Sequence, residues 1–198
     1  MTSIVFDYLS ENYLEIIAAI AGIAGVFLTA KEIIWCWPVA LINVVLSAIV
    51  FYQSRLYQDA ILQIFYFVMT IYGFYFWLKG GKENTAPPIR HITFSLSIVL
   101  LSIGIIFTFL SGWFFEHYTD ASLPYLDATT TVWGIIGTFL MARKMIENWW
   151  LWIVIDLLCT GIYIYKHLFV FSFLYFFFTI LAVYGLIEWQ KKIKLQQS

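Results

Sequence analysis

The chain has 198 residues, of which 62% are hydrophobic and 12% are charged, with a formal net charge of −1 and a mean hydropathy of +0.85. Soluble domains average about 25% charged residues, so this composition excludes an ordinary soluble domain and indicates a membrane protein. The eleven Lys and Arg residues are scattered and form no basic stripe, which argues against nucleic-acid binding.

Seven apolar segments are long enough to be read as transmembrane helices, which need about 20 residues each. The first is short and rich in Ala and Gly, and its small residues at three- and four-residue spacing favour close helix packing. The stretch before it has no Lys or Arg, so we expect no signal peptide there and a first span that stays on the protein. The sequence therefore predicts an all-α membrane protein with spans at residues 13–30, 33–52, 60–78, 92–115, 123–142, 149–165 and 168–189.

Two parts of the chain repeat each other. The string Tyr72-Gly73 stands four residues before Trp77, and Tyr184-Gly185 stands four residues before Trp189. A shift of 113 residues matches Asn43 with Asp156, and after a slip of one residue in a loop a shift of 112 matches the two Tyr-Gly strings. These matches indicate a duplicated membrane unit.

The repeat divides the predicted spans into domains. We expect a first three-helix half at residues 1–80, a linker with the fourth transmembrane helix at 81–122, and a second three-helix half with a basic C-terminal tail at 123–198. Because one linking helix joins two sets of three, both halves have the same orientation in the membrane. The sequence thus predicts a 3+1+3 parallel repeat, which by analogy of fold resembles the arrangement of the SWEET sugar transporters.

The positive charges predict the orientation of the chain. Nine Lys and Arg residues fall on one side of the predicted spans and two on the other, which places the N-terminus outside and the C-terminus in the cytoplasm. Trp77 and Trp189 then fall at the inner interface, where we expect their indoles to act as interface anchors. The nine residues are Lys31, Lys79, Lys82, Arg90, Arg143, Lys144, Lys191, Lys192 and Lys194.

Polar residues in the middle of the spans are the candidates for a binding site. An unpaired carboxylate at the depth predicted for Asp156 costs about 2.5 to 3.5 kcal/mol on insertion scales, so this side chain should face the protein interior or a watery cavity. Trp149 and Trp152 share its helix face. Aromatic faces attract cations, so the pocket suits a flat, cationic solute. A second stripe at helical spacing follows the third span: Gln63, Tyr66, Thr70 and Phe74.

Other interpretations of these residues stay open from the sequence. Asn43 taken alone is often only an interhelical hydrogen-bonding residue. An intramembrane aspartyl protease would need a second carboxylate at the depth of Asp156, whereas Asp127 is predicted near an interface. A membrane scaffold is a further alternative. We expect neither enzymatic activity nor a cofactor, and a metal site is not expected from three widely separated histidines, His91, His117 and His167.

Two strings together resemble the PnuC family of bacterial vitamin transporters. The first is Gln63-Ile64-Phe65-Tyr66-Phe67 leading into Ile71-Tyr72-Gly73-Phe74-Tyr75-Phe76-Trp77. The second begins at Arg143-Lys144 and continues through Glu147-Asn148-Trp149 and Trp152 to Asp156. The resemblance extends over residues 22–192, nearly the whole chain.

The resemblance implies a SWEET-like bundle in the bacterial inner membrane that passes nicotinamide riboside by facilitated diffusion. From the two halves we expect alternating access, with the substrate exposed to each side in turn. A cytoplasmic vitamin kinase would then trap the product by phosphorylation. By matching position the resemblance points to Gln63, Trp149, Trp152 and the residue at 156 as substrate contacts, with Asn43 as the partner in the first half. A homo-oligomer is compatible with this interpretation.

The sequence departs from the nicotinamide riboside pattern at three positions of the predicted pocket. That pattern has Asn, Trp and Asn where this chain has Thr70, Phe74 and Asp156. These departures make thiamine, another cationic aromatic vitamin, the alternative substrate, and nicotinamide riboside stays first as the family's default. With one acid at mid-depth, we expect uncoupled, downhill transport.

Overall fold

A computed structural model describes residues 13–53, 55, 57–120 and 122–197. Each predicted span corresponds to a helix. The helix ends lie within three residues of the predicted ends, except that the last helix continues to Gln197. In the described residues the helices are α1 (Tyr13–Ala30), α2 (Cys36–Gln53), α3 (Tyr57–Lys79), α4 (Phe94–Tyr118), α5 (Pro124–Ala142), α6 (Asn148–Tyr165) and α7 (Phe169–Gln197), with a 3₁₀ turn at Lys82–Asn84. The all-helical prediction is confirmed.

Five of these helices are long and apolar enough to cross a membrane. They are α2, α3, α4, α6 and α7. The apolar part of α1, Ile16–Ala30, is shorter, and α5 carries several threonines. The hydroxyls of Thr129 and Thr138 donate to carbonyls one turn earlier in α5, at 2.6 and 2.9 Å. These threonines therefore lower the hydropathy of α5 while their donors are satisfied within the helix.

The chain divides into two compact units, Met1–Pro87 and Pro88–Ser198. In the first unit, α2 packs against both α1 and α3. In the second, α5 packs against α4 and α6, and α6 packs against α7. Two rings of α5 lie on glycines of α4, with Trp133 over Gly104 and Tyr125 over Gly112, where a β-carbon would collide with them.

The turns that end the helices are the same in the two units. Glu32 and Lys144 both have positive φ, at 62° and 52°, and so do Arg55 and His167, at 60° and 57°. Such left-handed residues close a helix C-terminus when the next N–H bonds back to a carbonyl five residues earlier. The matching bonds are Ile33 N to Leu28 O and Met145 N to Leu140 O, both 2.9 Å. Every one of these pairs is 112 residues apart.

The uniform shift of 112 corrects the predicted register of the repeat. The shift of 113 with a slip in a loop was wrong, because it matched residues by identity and polarity, for example Trp37 with Trp150, instead of by their place in the packing and the turns; Trp149 is the residue that packs as Trp37 does. With a shift of 112, Asn43 corresponds to Ile155, and Asp156 corresponds to Val44. The two polar residues therefore do not occupy equivalent positions.

The Tyr-Gly strings are packing sites. Trp37 and Trp77 meet edge to face at 5.5 Å and 85°, and Trp149 and Trp189 do the same at 5.5 Å and 90°. In each unit the first indole of the pair lies on the glycine four residues before the second, Gly73 or Gly185. The prediction that Trp77 and Trp189 are interface anchors was wrong, since they are 3% and 0% exposed. Trp77 and Trp189 are buried because each packs against another indole, which in turn lies on a glycine that has no side chain.

The segment before α4 is fixed to the turn between α5 and α6. Arg90 N donates to Lys144 O, and Ile146 N donates to Arg90 O, both at 3.0 Å. His91 Nδ1 lies 2.8 Å from the carboxylate of Glu147. This short bridge gives α4 a defined start within the second unit.

We expect Gly185→Ala to destabilise the protein by about 1 to 3 kcal/mol, the usual cost of overpacking a close-packed site. The added carbon would lie 2.5 Å from the Trp149 ring. Thermal unfolding of purified protein in detergent measures the effect. Gly161→Ala is the matched control, because an added carbon there meets nothing within 4 Å. If the two variants unfold at the same temperature, the contact of Trp149 with Gly185 does not stabilise the packing of α6 on α7.

Candidate functional site

A carboxylate lies at the centre of the second unit. Asp156 is halfway along α6 and 5% exposed. Across the described part of the chain its side chain makes no hydrogen bond and no ion pair. A buried charge without a partner is costly, and such residues in membrane helices mark sites more often than scaffolds.

Two indoles lie on the same face of α6 as Asp156, seven and four residues before it. Trp149 is 1% exposed and is held between Gly185 and Trp189. Trp152 is half-buried and packs on Gly137 of α5, where an added carbon would lie 3.3 Å from the indole. The structure thus brings together three of the predicted site residues.

The buried indole N–H of Trp149 has no hydrogen-bond partner among the described residues. The equivalent N–H of Trp37 in the first unit is also unpaired. Because both units share this feature, it follows from the packing of the repeat. It therefore gives no information about a ligand.

An aromatic stack lies beyond Asp156 towards the end of α6. Tyr163 stacks on Phe171 and on Tyr175 of α7, with ring centroids 5.4 and 5.2 Å apart. Tyr175 thus packs its ring on α6 near the end of that helix. The sequence reasoning omitted Tyr175 from the site. The corrected repeat contains the missing signal, because a shift of 112 places Gln63 on Tyr175.

Asn43 is engaged within the first unit. Its amide Nδ2 donates to the carbonyl of Ala18 at 2.7 Å, a bond between α2 and α1. This contact is the interhelical role that the sequence left open. In the corrected register Asn43 is not the residue equivalent to Asp156. A contact of Asn43 with a substrate remains a prediction.

The predicted stripe on α3 lies on one face of that helix. Thr70 is buried, and its hydroxyl donates to Tyr66 O at 2.7 Å, so this donor is satisfied inside α3. Gln63 and Tyr66 are half-buried, and Phe74 is 37% exposed. These four residues, like Asn43, belong to the first unit, and their contact with a substrate remains a prediction.

The arrangement around Asp156 can hold a cation. A single carboxylate offers one negative charge, and the neighbouring indole of Trp152 offers an aromatic face. Two other acids lie on the helices packed on α6. Asp127 lies 3.7 Å from Lys166 near the start of α5, and Glu188 of α7 accepts a hydrogen bond from Lys191 at 3.0 Å. A protease dyad needs two carboxylates side by side, and these residues do not supply one.

Comparisons with known proteins identify a family of transporters. The family model described as "Nicotinamide mononucleotide transporter" matches residues 12–191. A nicotinamide riboside transporter PnuC of Escherichia coli K12 is 29% identical over 90% of this chain and 85% of its own length. A second, from Neisseria mucosa, is 26% identical over 97% of this chain and 77% of its own length. A crystal structure of the vitamin B3 transporter PnuC matches with a TM-score of 0.74 and 26% identity, covering 97% of this chain and 86% of that one. All three are named as transporters.

Asn43 and Asp156 should respond in opposite ways to the loss of their polar groups. Asn43→Ala removes an interhelical hydrogen bond and should cost about 0.6 kcal/mol, with an upper bound near 1.7. Asp156→Asn removes an unpaired buried charge at constant shape and should raise stability by up to about 2.5 kcal/mol. Unfolding in detergent compares both with the unchanged protein. A clear loss of stability in Asp156→Asn would mean that the carboxylate has a structural partner.

Proposed function

The chain belongs to the PnuC family of transporters, as its Gln63 and Trp149 strings predict, and from this premise we propose that it carries nicotinamide riboside across a membrane. It is a multi-pass membrane protein with several apolar helices. We place it in the bacterial inner membrane with the C-terminus in the cytoplasm, which the bias of Lys and Arg supports. If each of the seven helices crosses once, the halves form the 3+1+3 parallel arrangement.

The observation that carries the proposal is the unpartnered carboxylate of Asp156. The pyridinium ring of nicotinamide riboside is flat and permanently positive. A charge 4 Å away at an effective dielectric constant of about 20 contributes roughly 4 kcal/mol, before the cost of removing both groups from water. The negative charge of Asp156 thus offsets part of the hydration that the ring loses when it leaves water.

Two indoles form the walls of the proposed site around Asp156. Trp149 cannot move without disturbing Gly185 and Trp189, so it forms a fixed wall of the site. Trp152 is partly accessible and presents the face on which a cationic ring can stack. Tyr175, through its hydroxyl, is our added candidate for contacts to the ribose.

The residues of the first unit have graded roles in this proposal. Gln63 has a half-buried amide that can bond to a substrate, Tyr66 is half-buried, and Phe74 offers a partly exposed ring. Thr70 and Asn43 already use one hydrogen bond each within their own unit. We therefore expect smaller effects on binding from these two than from Gln63.

We propose nicotinamide riboside as the substrate, and not thiamine. The relatives from Escherichia coli and Neisseria mucosa are both named for nicotinamide riboside, and the thiamine alternative gains no support from them. Both vitamins are cationic, so Asp156 does not distinguish them. Thr70 and Phe74, where the family pattern has other residues, are the positions at which a difference between the two substrates should be sought.

The transport that we propose is downhill and uncoupled, with alternating access. One mid-depth acid in α6 supports this, because an ion-coupled carrier needs a second site for its ion. A cytoplasmic kinase that phosphorylates the vitamin would keep its free concentration low and so maintain the inward flux. A homo-oligomer is compatible with this mechanism and is not required by it.

Asp156→Asn should weaken binding of nicotinamide riboside by at least about tenfold, equivalent to 1.4 kcal/mol. The dihydro form of the same riboside has a neutral ring and should lose far less. Titration calorimetry in detergent with both ligands isolates the charge, and Asp120→Asn, a change of an exposed loop acid, is the control. Equal losses for the charged and the neutral riboside would mean that Asp156 acts by shape or hydrogen bonding.

Proteoliposomes test the uncoupled mechanism. With the membrane potential clamped at zero, labelled nicotinamide riboside should equilibrate and not accumulate, and a proton or sodium gradient should leave the initial rate unchanged. An inside-negative potential should raise uptake, since the substrate itself carries the charge. Thiamine at equal concentration serves as the competing substrate. Accumulation driven by a proton or sodium gradient at zero potential would contradict uncoupled transport.

A further inference from the structure

An apolar groove lies between α5 and α6, near the start of α5 and the end of α6. Its volume is about 340 Å³. The side chains that line it are aliphatic on both helices, and Tyr165 stands at the end of α6. The aliphatic lining residues are Leu123, Leu126, Leu157, Leu158 and Ile162. The groove is separate from the face of α6 that carries Trp152 and Asp156.

Gly161 keeps the groove open. A β-carbon added to this glycine would meet nothing within 4 Å, whereas one added to Gly185 would touch an indole. Gly161 is exposed, and its neighbours Leu157 and Tyr165 are also exposed. In the described part of the chain, then, this glycine makes room that no side chain fills. An empty apolar space in a membrane protein is room for hydrocarbon.

A pair of opposite charges lies beside the groove. Asp127 is four residues after Leu123, and Lys166 is four residues after Ile162, so each charge shares a helix face with a lining residue. The Lys166 Nζ and the Asp127 carboxylate are 3.7 Å apart, with 30% and 47% of the two side chains exposed. Hydrogen bonds between such groups are usually 2.7 to 2.9 Å long. The pair is therefore loose, and both partners can accept a second contact.

The charges near this end of the unit have a negative surplus. Glu116, at the end of α4, accepts a hydrogen bond from Tyr125 of α5 at 3.2 Å, which fixes it near the start of α5. Asp120 follows α4 directly. This negative surplus would repel an anionic headgroup and attract an ammonium group.

We propose that the groove binds one acyl chain of a bilayer phosphatidylethanolamine, with the headgroup on the charge pair. The phosphate of the headgroup lies against Lys166, and its ammonium group donates hydrogen bonds to Asp127. The chain fills the space beside Gly161. Phosphatidylcholine has the same net charge but no N–H to donate, and phosphatidylglycerol has no ammonium at all, so the pair selects ethanolamine.

Lipid titration by native mass spectrometry of the whole protein, delipidated in detergent, tests the site. Phosphatidylethanolamine should bind at least about tenfold more tightly than phosphatidylcholine or phosphatidylglycerol of the same chains. Gly161→Leu fills the groove and should abolish that preference. Val154→Leu, a change on the same face of α6 two turns away and 54% exposed, should leave it unchanged. Asp127→Asn should reduce the advantage of ethanolamine over choline to about onefold, while retaining binding of the chain.

Equal binding of the three lipids to the unchanged protein would overturn the proposal, since that is the behaviour of ordinary boundary lipid. Retention of the preference in Gly161→Leu would also overturn it, with unfolding in detergent confirming that the variant is folded. If Gly161→Leu does not fold, Gly161→Ala replaces it and should weaken the preference in part; no change would count against the groove. These readouts are independent of vitamin transport.

Discussion

The perpendicular contact of Trp149 with Trp189 determines how α6 lies on α7, and the position of Asp156 depends on it. Trp149 reaches Trp189 only because Gly185 has no side chain, so the two helices approach at a fixed point. Asp156 follows two turns later on the same face of α6. A rigid aromatic contact thus sets the place of a charge that has no partner of its own.

Several hydroxyl groups on the helices around Asp156 are hydrogen-bonded to backbone carbonyls. The threonine hydroxyls of α5 donate to their own helix, and Ser172 donates across to the carbonyl of Thr160 at 3.3 Å. Asn43 in the other unit bonds to a neighbouring helix instead of standing free. The side chain of Asp156, by contrast, makes no hydrogen bond in the described residues. A binding site for a cation needs such a carboxylate, because one that is already paired would have little left to offer.

Hydropathy and helix length were sufficient to predict the helices, since a bilayer requires backbone groups to be bonded within each segment. The register of the repeat was not predicted, because Asn43 and Asp156 are alike in polarity while the signal lay elsewhere. Gly25 and Gly137, 112 residues apart, pack on Ala40 and Trp152, which are also 112 apart. The tryptophans were assigned to the interface by their general preference. The glycine four residues before each of them was the evidence for burial.

The corrected register shows how one frame carries two different interiors. The turns and the indole pairs are shared, yet Trp152 corresponds to Ala40, and Asp156 corresponds to Val44. The second unit therefore has the larger ring and the charge at positions where the first has a methyl group and an isopropyl group. Duplication supplied two copies of a stable scaffold, and because the scaffold depends on the shared contacts, the remaining positions of one copy were free to become polar. In the proposed function, the charge that binds the substrate accordingly lies on α6, while the first unit keeps the same turns and the same indole pair without a charge at the matching position.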